Sequence, residues 1–138
     1  MPSTNETAVR RLHDEVLSEG RAEVLDEIMA PDIRVVAPGG QIFTGIDEAK
    51  PFTTGWRQAF PDHKVTITHL IEQDDQVAIR AESDGTNTGE FMGQPPTGKK
   101  ISKVSNLAWF TMEGGRIKEC YLVIDETSMN NQLGFAQG

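Results

Sequence analysis

Four extended runs follow one another between Lys64 and Asp125, and the breaks between them are short or rich in glycine and proline. Asp74-Asp75 separates Lys64 to Gln73 from Gln76 to Thr88. Gly89 to Lys100 separates that second run from Ile101 to Met112, and Glu113-Gly114-Gly115 leads into Arg116 to Asp125. In the second run Val77, Ile79, Ala81 and Ser83 fall on one face and Arg80, Glu82 and Asp84 on the other, the period-two alternation of a half-buried strand. A chain with this pattern folds as an antiparallel meander with one apolar face that something else must cover. Gly85 and Gly89 suit the bends of a strongly curved sheet.

The first half supplies the cover. Ser3-x-x-Glu6 has the spacing of a helical capping box, and Val9, Leu12, Val16 and Leu17 form one apolar face before Gly20. Val24, Leu25, Ile28 and Met29 mark a second short helix ending near Pro31. Ile33 to Ala37 reads as a strand, Pro38-Gly39-Gly40 as a turn and Gln41 to Thr44 as a short returning strand. A third helix lies within Asp47 to Phe60, with Phe52, Trp56, Ala59 and Phe60 as its stripe and Pro51 expected in its first turn. Ser128 to Phe135 reads as a polar tail or one helical turn. The expected architecture is α+β: a cone-shaped barrel of a strongly curved, mostly antiparallel sheet wrapped around N-terminal helices. Its mouth would open on a cavity.

The 138 residues suit one domain, 1–138, with a real core. A formal net charge of −8 argues against nucleic acid and anionic membranes as partners. The single cysteine, Cys120, excludes an internal disulfide and reads as a small core or interface hydrophobe. The first residues carry no basic-then-apolar signal segment, and no apolar run approaches the ~20 residues of a membrane span. A cytoplasmic location is the default. His13, His63 and His69 lack ligand spacing, so no metal is expected. No Gly-x-Gly-x-x-Gly follows a strand, so no dinucleotide cofactor is expected either.

The last hairpin decides which residues share a face. A three-residue loop at Glu113-Gly114-Gly115 would pair Thr111 with Ile117, Trp109 with Glu119 and Leu107 with Tyr121, leaving Lys103 opposite Asp125. Ile117, Glu119, Tyr121, Val123 and Asp125 would then line the cavity beside Leu107, Trp109 and Thr111, with Cys120, Leu122 and Ile124 outside. A two-residue loop would turn Ala108, Phe110 and Met112 inward instead.

The pieces Phe60-Pro-Asp-His63, Gly85-Thr-Asn-Thr-Gly89, Pro95-Pro-Thr-Gly98, Gly114-Gly-Arg-Ile-Lys-Glu119 and Gln132-Leu-Gly134 occur in this order over nearly the whole chain. Together they resemble the SnoaL-like polyketide cyclase family, within the nuclear-transport-factor-2-like superfamily. The resemblance implies an internal pocket and, as in the cyclases, a general-base aspartate on the last strand, which Asp125 matches. It implies a cofactor-independent ring closure of intramolecular aldol type, or a related isomerisation, on a small hydrophobic polyketide-like molecule. Asn87 stands where the family usually has histidine, Tyr121 where it commonly has tryptophan, and Thr111 where many members carry a basic or other polar group. Asn87, Tyr121, Trp109 and Thr111 are candidate hydrogen-bond donors to the enolate. Trp56, Trp109, Phe60 and Phe91 are candidate stacking surfaces. His13, four residues from Val9, is a core histidine or a pocket contact. Two other readings stand beside the cyclase: a non-catalytic protein holding an apolar metabolite, and a SnoaL-like hydroxylase. The resemblance also implies a homodimer or homotetramer formed through the outer sheet face.

Overall fold

The computed structural model describes residues 2–91 and 93–135. Helix α1, Thr4–Arg11, is capped as its sequence predicts, with Ser3 Oγ accepting the Glu6 N–H at 3.0 Å. It widens into a π turn, Leu12–Leu17, which buries Leu12, His13 and Val16, and the chain breaks at Gly20 with φ +81°. A short helix α2, Leu25–Ile28, leads into strand β1, Met29–Val36, and its partner β2, Ile42–Thr44. Helix α3 spans Ile46–Ala59. Because α3 starts at Ile46, Pro51 falls in its second turn rather than its first, where its missing N–H removes an interior hydrogen bond.

The meander follows as β3 (Lys64–Gln73), β4 (Gln76–Thr86), β5 (Lys100–Glu113) and β6 (Arg116–Ile124). The sheet runs β2-β1-β6-β5-β4-β3. Only β1–β6 is parallel, and β2 and β3 remain as edges, so the sheet is curved but unclosed. Its inner face carries Val77, Ile79 and Ala81 from β4 and Ala108, Phe110 and Met112 from β5, all buried against Val9, Leu12, Val16 and Ala49 of the helices.

The last hairpin differs from the three-residue expectation. Gly114 and Gly115 both have positive φ, +59° and +79°, as a two-residue I′-type turn requires, so Glu113 pairs with Arg116 and Met112 with Ile117. A bulge follows, and beyond it Thr111 pairs with Glu119, Phe110 with Cys120 and Trp109 with Tyr121. Each extra residue in one strand inverts parity. Ile117 therefore faces inward as expected, but Cys120 is also inside and Tyr121 and Val123 are about half exposed on the outer face, with Leu107 and Trp109 beside them. Lys103 is not opposite Asp125. It sits at φ +50°, and its backbone N–H donates to Asp84 Oδ1 at 3.2 Å.

The C-terminal segment is a two-turn helix, α4 (Glu126–Leu133), longer than the polar tail or single turn expected. Met129 and Leu133 are buried with Phe60, Phe91, Ile101 and Val104 in a second apolar cluster. Gln132 clamps β5 at Ser102, accepting its N–H at 2.6 Å and donating to its carbonyl at 3.2 Å. Gly134 ends the helix in the left-handed conformation, φ +81°. The Gln-Leu-Gly signature is thus a clamp, an apolar anchor and a stop.

Candidate functional site

The inner face of the sheet and the helices enclose a cavity of about 80 Å³. Its walls are mostly apolar: Leu12, Val35, Phe52, Trp56, Phe110, Leu122 and Ile124 are among them. The polar groups on it are His13, Thr53, His63, Ser83, Asn106 and the Cys120 thiol. Among the described residues no carboxylate lines it.

His63 is the group whose surroundings leave chemistry undone. It is 5% exposed, and its buried Nδ1 has no hydrogen-bond partner. Buried polar atoms are nearly always satisfied, so such an orphan calls for an explanation. The Phe60-Pro-Asp-His motif shows how it is held. Phe60 is fully buried, and Asp62 accepts both the Thr86 N–H (2.7 Å) and the Thr86 hydroxyl (2.8 Å) at the end of β4. Those bonds hold the Asp62 carboxyl below its ordinary range. The Arg57 guanidinium donates to the carbonyls of Leu17, Ser18 and His63 at 3.0–3.2 Å and to that of Pro61 at 2.6 Å, fixing the corner. Burial, reinforced by the Arg57 charge, pushes the His63 imidazole down to about 4, so it is neutral at pH 7. Its ring is stacked with Trp56, centroids 6.4 Å apart.

His13 is the second imidazole. Its Nδ1 lies 2.8 Å from the Val9 carbonyl. A carbonyl only accepts, so Nδ1 carries the proton and Nε2 is left with a free lone pair. Burial lowers its pKa too, and its ring meets Phe110 edge-on at 6.0 Å. Asn106 donates from Nδ2 to Ser83 Oγ at 3.1 Å. Burial pushes the Cys120 thiol up to about 12, which makes it an inert part of the wall.

Of the residues expected at the site, the structure brings His13 and Trp56 to the cavity. Phe91 packs on Trp56 and Phe60, and lines a separate outer hollow. Phe60 lies in the second apolar cluster and does not line the cavity. Trp109 and Tyr121 stand on the outer face, 54% and 52% exposed, and Thr111 donates there to Gln76 Oε1 at 3.2 Å. The hairpin turn and bulge account for all three.

Asp125 does not enter the cavity. It is exposed at the end of β6, where it caps α4 by accepting the Ser128 N–H at 3.0 Å. The last inward-facing positions of that strand are Leu122 and Ile124, so the strand delivers aliphatic carbon where a base was expected.

Asn87 is fully buried but already satisfied. Its Nδ2 donates to the carbonyls of Gly89 (2.8 Å) and Ala59 (3.3 Å), and its Oδ1 accepts from the Thr97 N–H (2.9 Å) and hydroxyl (3.1 Å). It ties the two sides of the 87–99 connection to each other and to the C-terminal end of α3. Gly89 completes the seam, because a Cβ there would come within 1.9 Å of the Gln58 carbonyl oxygen. Asn87→Ala is therefore expected to destabilise the fold by about 3 kcal/mol, through buried partners left unpaired. Urea denaturation at pH 7 measures this.

His63, Asn106, Ser83 and Thr53 were not among the expected site residues. His63 had a signal in its motif. The other three are ordinary strand and helix residues until register is known.

A curved, open sheet holding an apolar cavity against its helices is the nuclear-transport-factor-2-like class of cone. The SnoaL-like polyketide cyclase family model matches residues 7–133, and the chain belongs to that family. It is similar to a candidate SnoaL-like polyketide cyclase from Jannaschia sp. CCS1 (26% identity, covering 97% of this chain and 94% of that one, TM-score 0.88). It is also similar to IdmH, a candidate polyketide cyclase from Streptomyces antibioticus (28% identity, 96% and 99% covered, TM-score 0.82). AclR, a candidate hydroxylase from Streptomyces galilaeus, shares the fold at 21% identity, with 97% and 87% covered and a TM-score of 0.82. No functionally curated protein matches the chain. Among the described residues no helix is long and apolar enough to cross a membrane, and no cluster of metal-ligating side chains is found.

Proposed function

We propose that this chain is an acid–base enzyme that moves a proton at a carbon next to a carbonyl, in the apolar part of a polyketide-like substrate. The observation that carries the proposal is the buried, orphaned Nδ1 of His63, a residue of the cavity wall that, among the described residues, carries a second neutral imidazole and no carboxylate. His13 Nε2 is the acceptor for the α-proton. The electron pair left on carbon moves onto the carbonyl oxygen, which receives a hydrogen bond from His63. A neutral imidazole with a lowered pKa is suited to polarising a carbonyl in this way. Ring closure follows when the enolate carbon bonds to a second carbonyl carbon of the same molecule, whose π electrons pass to its oxygen, and that oxygen then takes the proton held on His13 Nε2.

The test uses ethyl 2-methyl-3-oxo-3-phenylpropanoate in D₂O, whose single α-proton is followed by NMR. Saturable exchange above the buffer rate supports the proposal. Binding without any acceleration supports the second reading, a non-catalytic carrier. That reading draws on the burial that lowers the His13 imidazole, since it weakens the group that would take the proton.

The oligomer contact is proposed for the outer sheet face. Cys120, Leu122 and Ile124 are not available for it, because they face the cavity. Leu107, Trp109, Tyr121 and Val123 are about half exposed and adjacent across the β5–β6 ladder, a contiguous apolar surface that a second copy can cover. Trp109→Glu is expected to shift the protein to monomer in sedimentation experiments and leave the cavity intact.

A further inference from the structure

A second space lies beside the cavity. It is a hollow of about 290 Å³, and Phe52, Trp56, Ile124 and Met129 line both it and the cavity. The two spaces thus sit on either side of one apolar waist. The charged side chains on the hollow are Glu90 and Glu126, both exposed and neither in an ion pair among the described residues. Among the described residues no lysine or arginine lines it.

Carboxylates on an otherwise apolar, aromatic-lined hollow attract cations and repel anions. We infer that the ligand is an elongated amphiphile whose apolar, carbonyl-bearing head enters the cavity while a cationic or hydrogen-bond-donating end remains in the hollow at Glu90 and Glu126. The same rim disfavours molecules whose end in the hollow is carboxylate, sulfonate or phosphate. This rests on the reading that the cavity holds the ligand.

Three probes share a 4-phenylbutan-2-one head and differ at the para position: trimethylammoniomethyl, hydroxymethyl and carboxymethyl. Trp109→Phe leaves Trp56 as the sole tryptophan, so quenching reports on the waist. At low salt the cationic probe should bind about tenfold more tightly than the carboxylate, and the gap should shrink in 0.5 M NaCl. In the Glu90→Gln/Glu126→Gln double variant the two should agree within about twofold, with the neutral probe unchanged. Both positions are exposed, so the variant folds.

If the neutral probe quenches Trp56 and shifts the His63 ring resonances, but the charged pair shows no gap or keeps its gap in the double variant, this inference is overturned and the cavity reading stands. If no probe binds, or none perturbs His63, the cavity reading falls and this inference with it.

Discussion

His63→Phe is expected to lower catalysed α-proton exchange by at least about a hundredfold, while Asp125→Asn leaves it within about twofold. A positioned hydrogen-bond donor to the developing oxyanion contributes roughly 10² to 10³ in rate, and a positioned general base roughly 10² to 10⁴. His63 is the cavity group with an unsatisfied buried nitrogen, and phenylalanine keeps most of its packing against Trp56 and Phe60. His13→Gln should fall by a comparable factor. Asp125 is at the helix start instead, so its amide keeps the capping oxygen and loses only a charge near the N-terminus of α4. NMR exchange rates for the three variants, each with its stability measured, separate the two accounts. Loss of exchange in Asp125→Asn with His63→Phe unaffected would restore the aspartate as base.

The second large effect is on acid stability. The His63 imidazole titrates at about 4 in the folded protein, against the ordinary 6.5 in the unfolded chain. Between those values the unfolded chain takes up a proton that the folded one refuses. The stability is fully present above pH 6.5 and is lost as pH falls through 4. The shift corresponds to about 3 kcal/mol, of which roughly 2.5 kcal/mol disappears between pH 7 and 4.5. His13, also lowered by burial, adds a loss of the same sign. Glu15, Asp32 and Asp62 are lowered as well, by their hydrogen-bond partners, and their losses begin in the carboxylate range below that window. Urea denaturation at pH 7 and 4.5 should show the drop, and His63→Gln should remove most of the His63 share.

The fold was legible because its signals are local. Period-two alternation in Gln76 to Thr88, the Ser3 cap and the Asp74-Asp75 turn each act through near neighbours. The site was not, because it hangs on one count. Whether Tyr121 or Leu122 faces the cavity depends on a two-residue Gly114-Gly115 turn and a bulge two residues later. Gly-Gly is compatible with either loop length, and a bulge leaves no compositional mark. Asn87 shows a second limit. It was expected as a donor to the enolate, but its amide is taken up by Thr97, Gly89 and Ala59, which only the folded chain brings to it. His63 carried a readable motif, yet its significance lies in a partner it lacks.

The central claim is that the chemistry of the cavity resides in neutral imidazoles. Long-range ¹⁵N–¹H spectra of the histidine rings, recorded from pH 8 to 4 with and without 4-phenylbutan-2-one, test it most directly. The account predicts that His63 stays neutral throughout most of this range with a midpoint near 4, that His13 holds its proton on Nδ1, and that the ketone shifts His63 saturably. A His63 midpoint near 6.5 with no response to the ketone would contradict it.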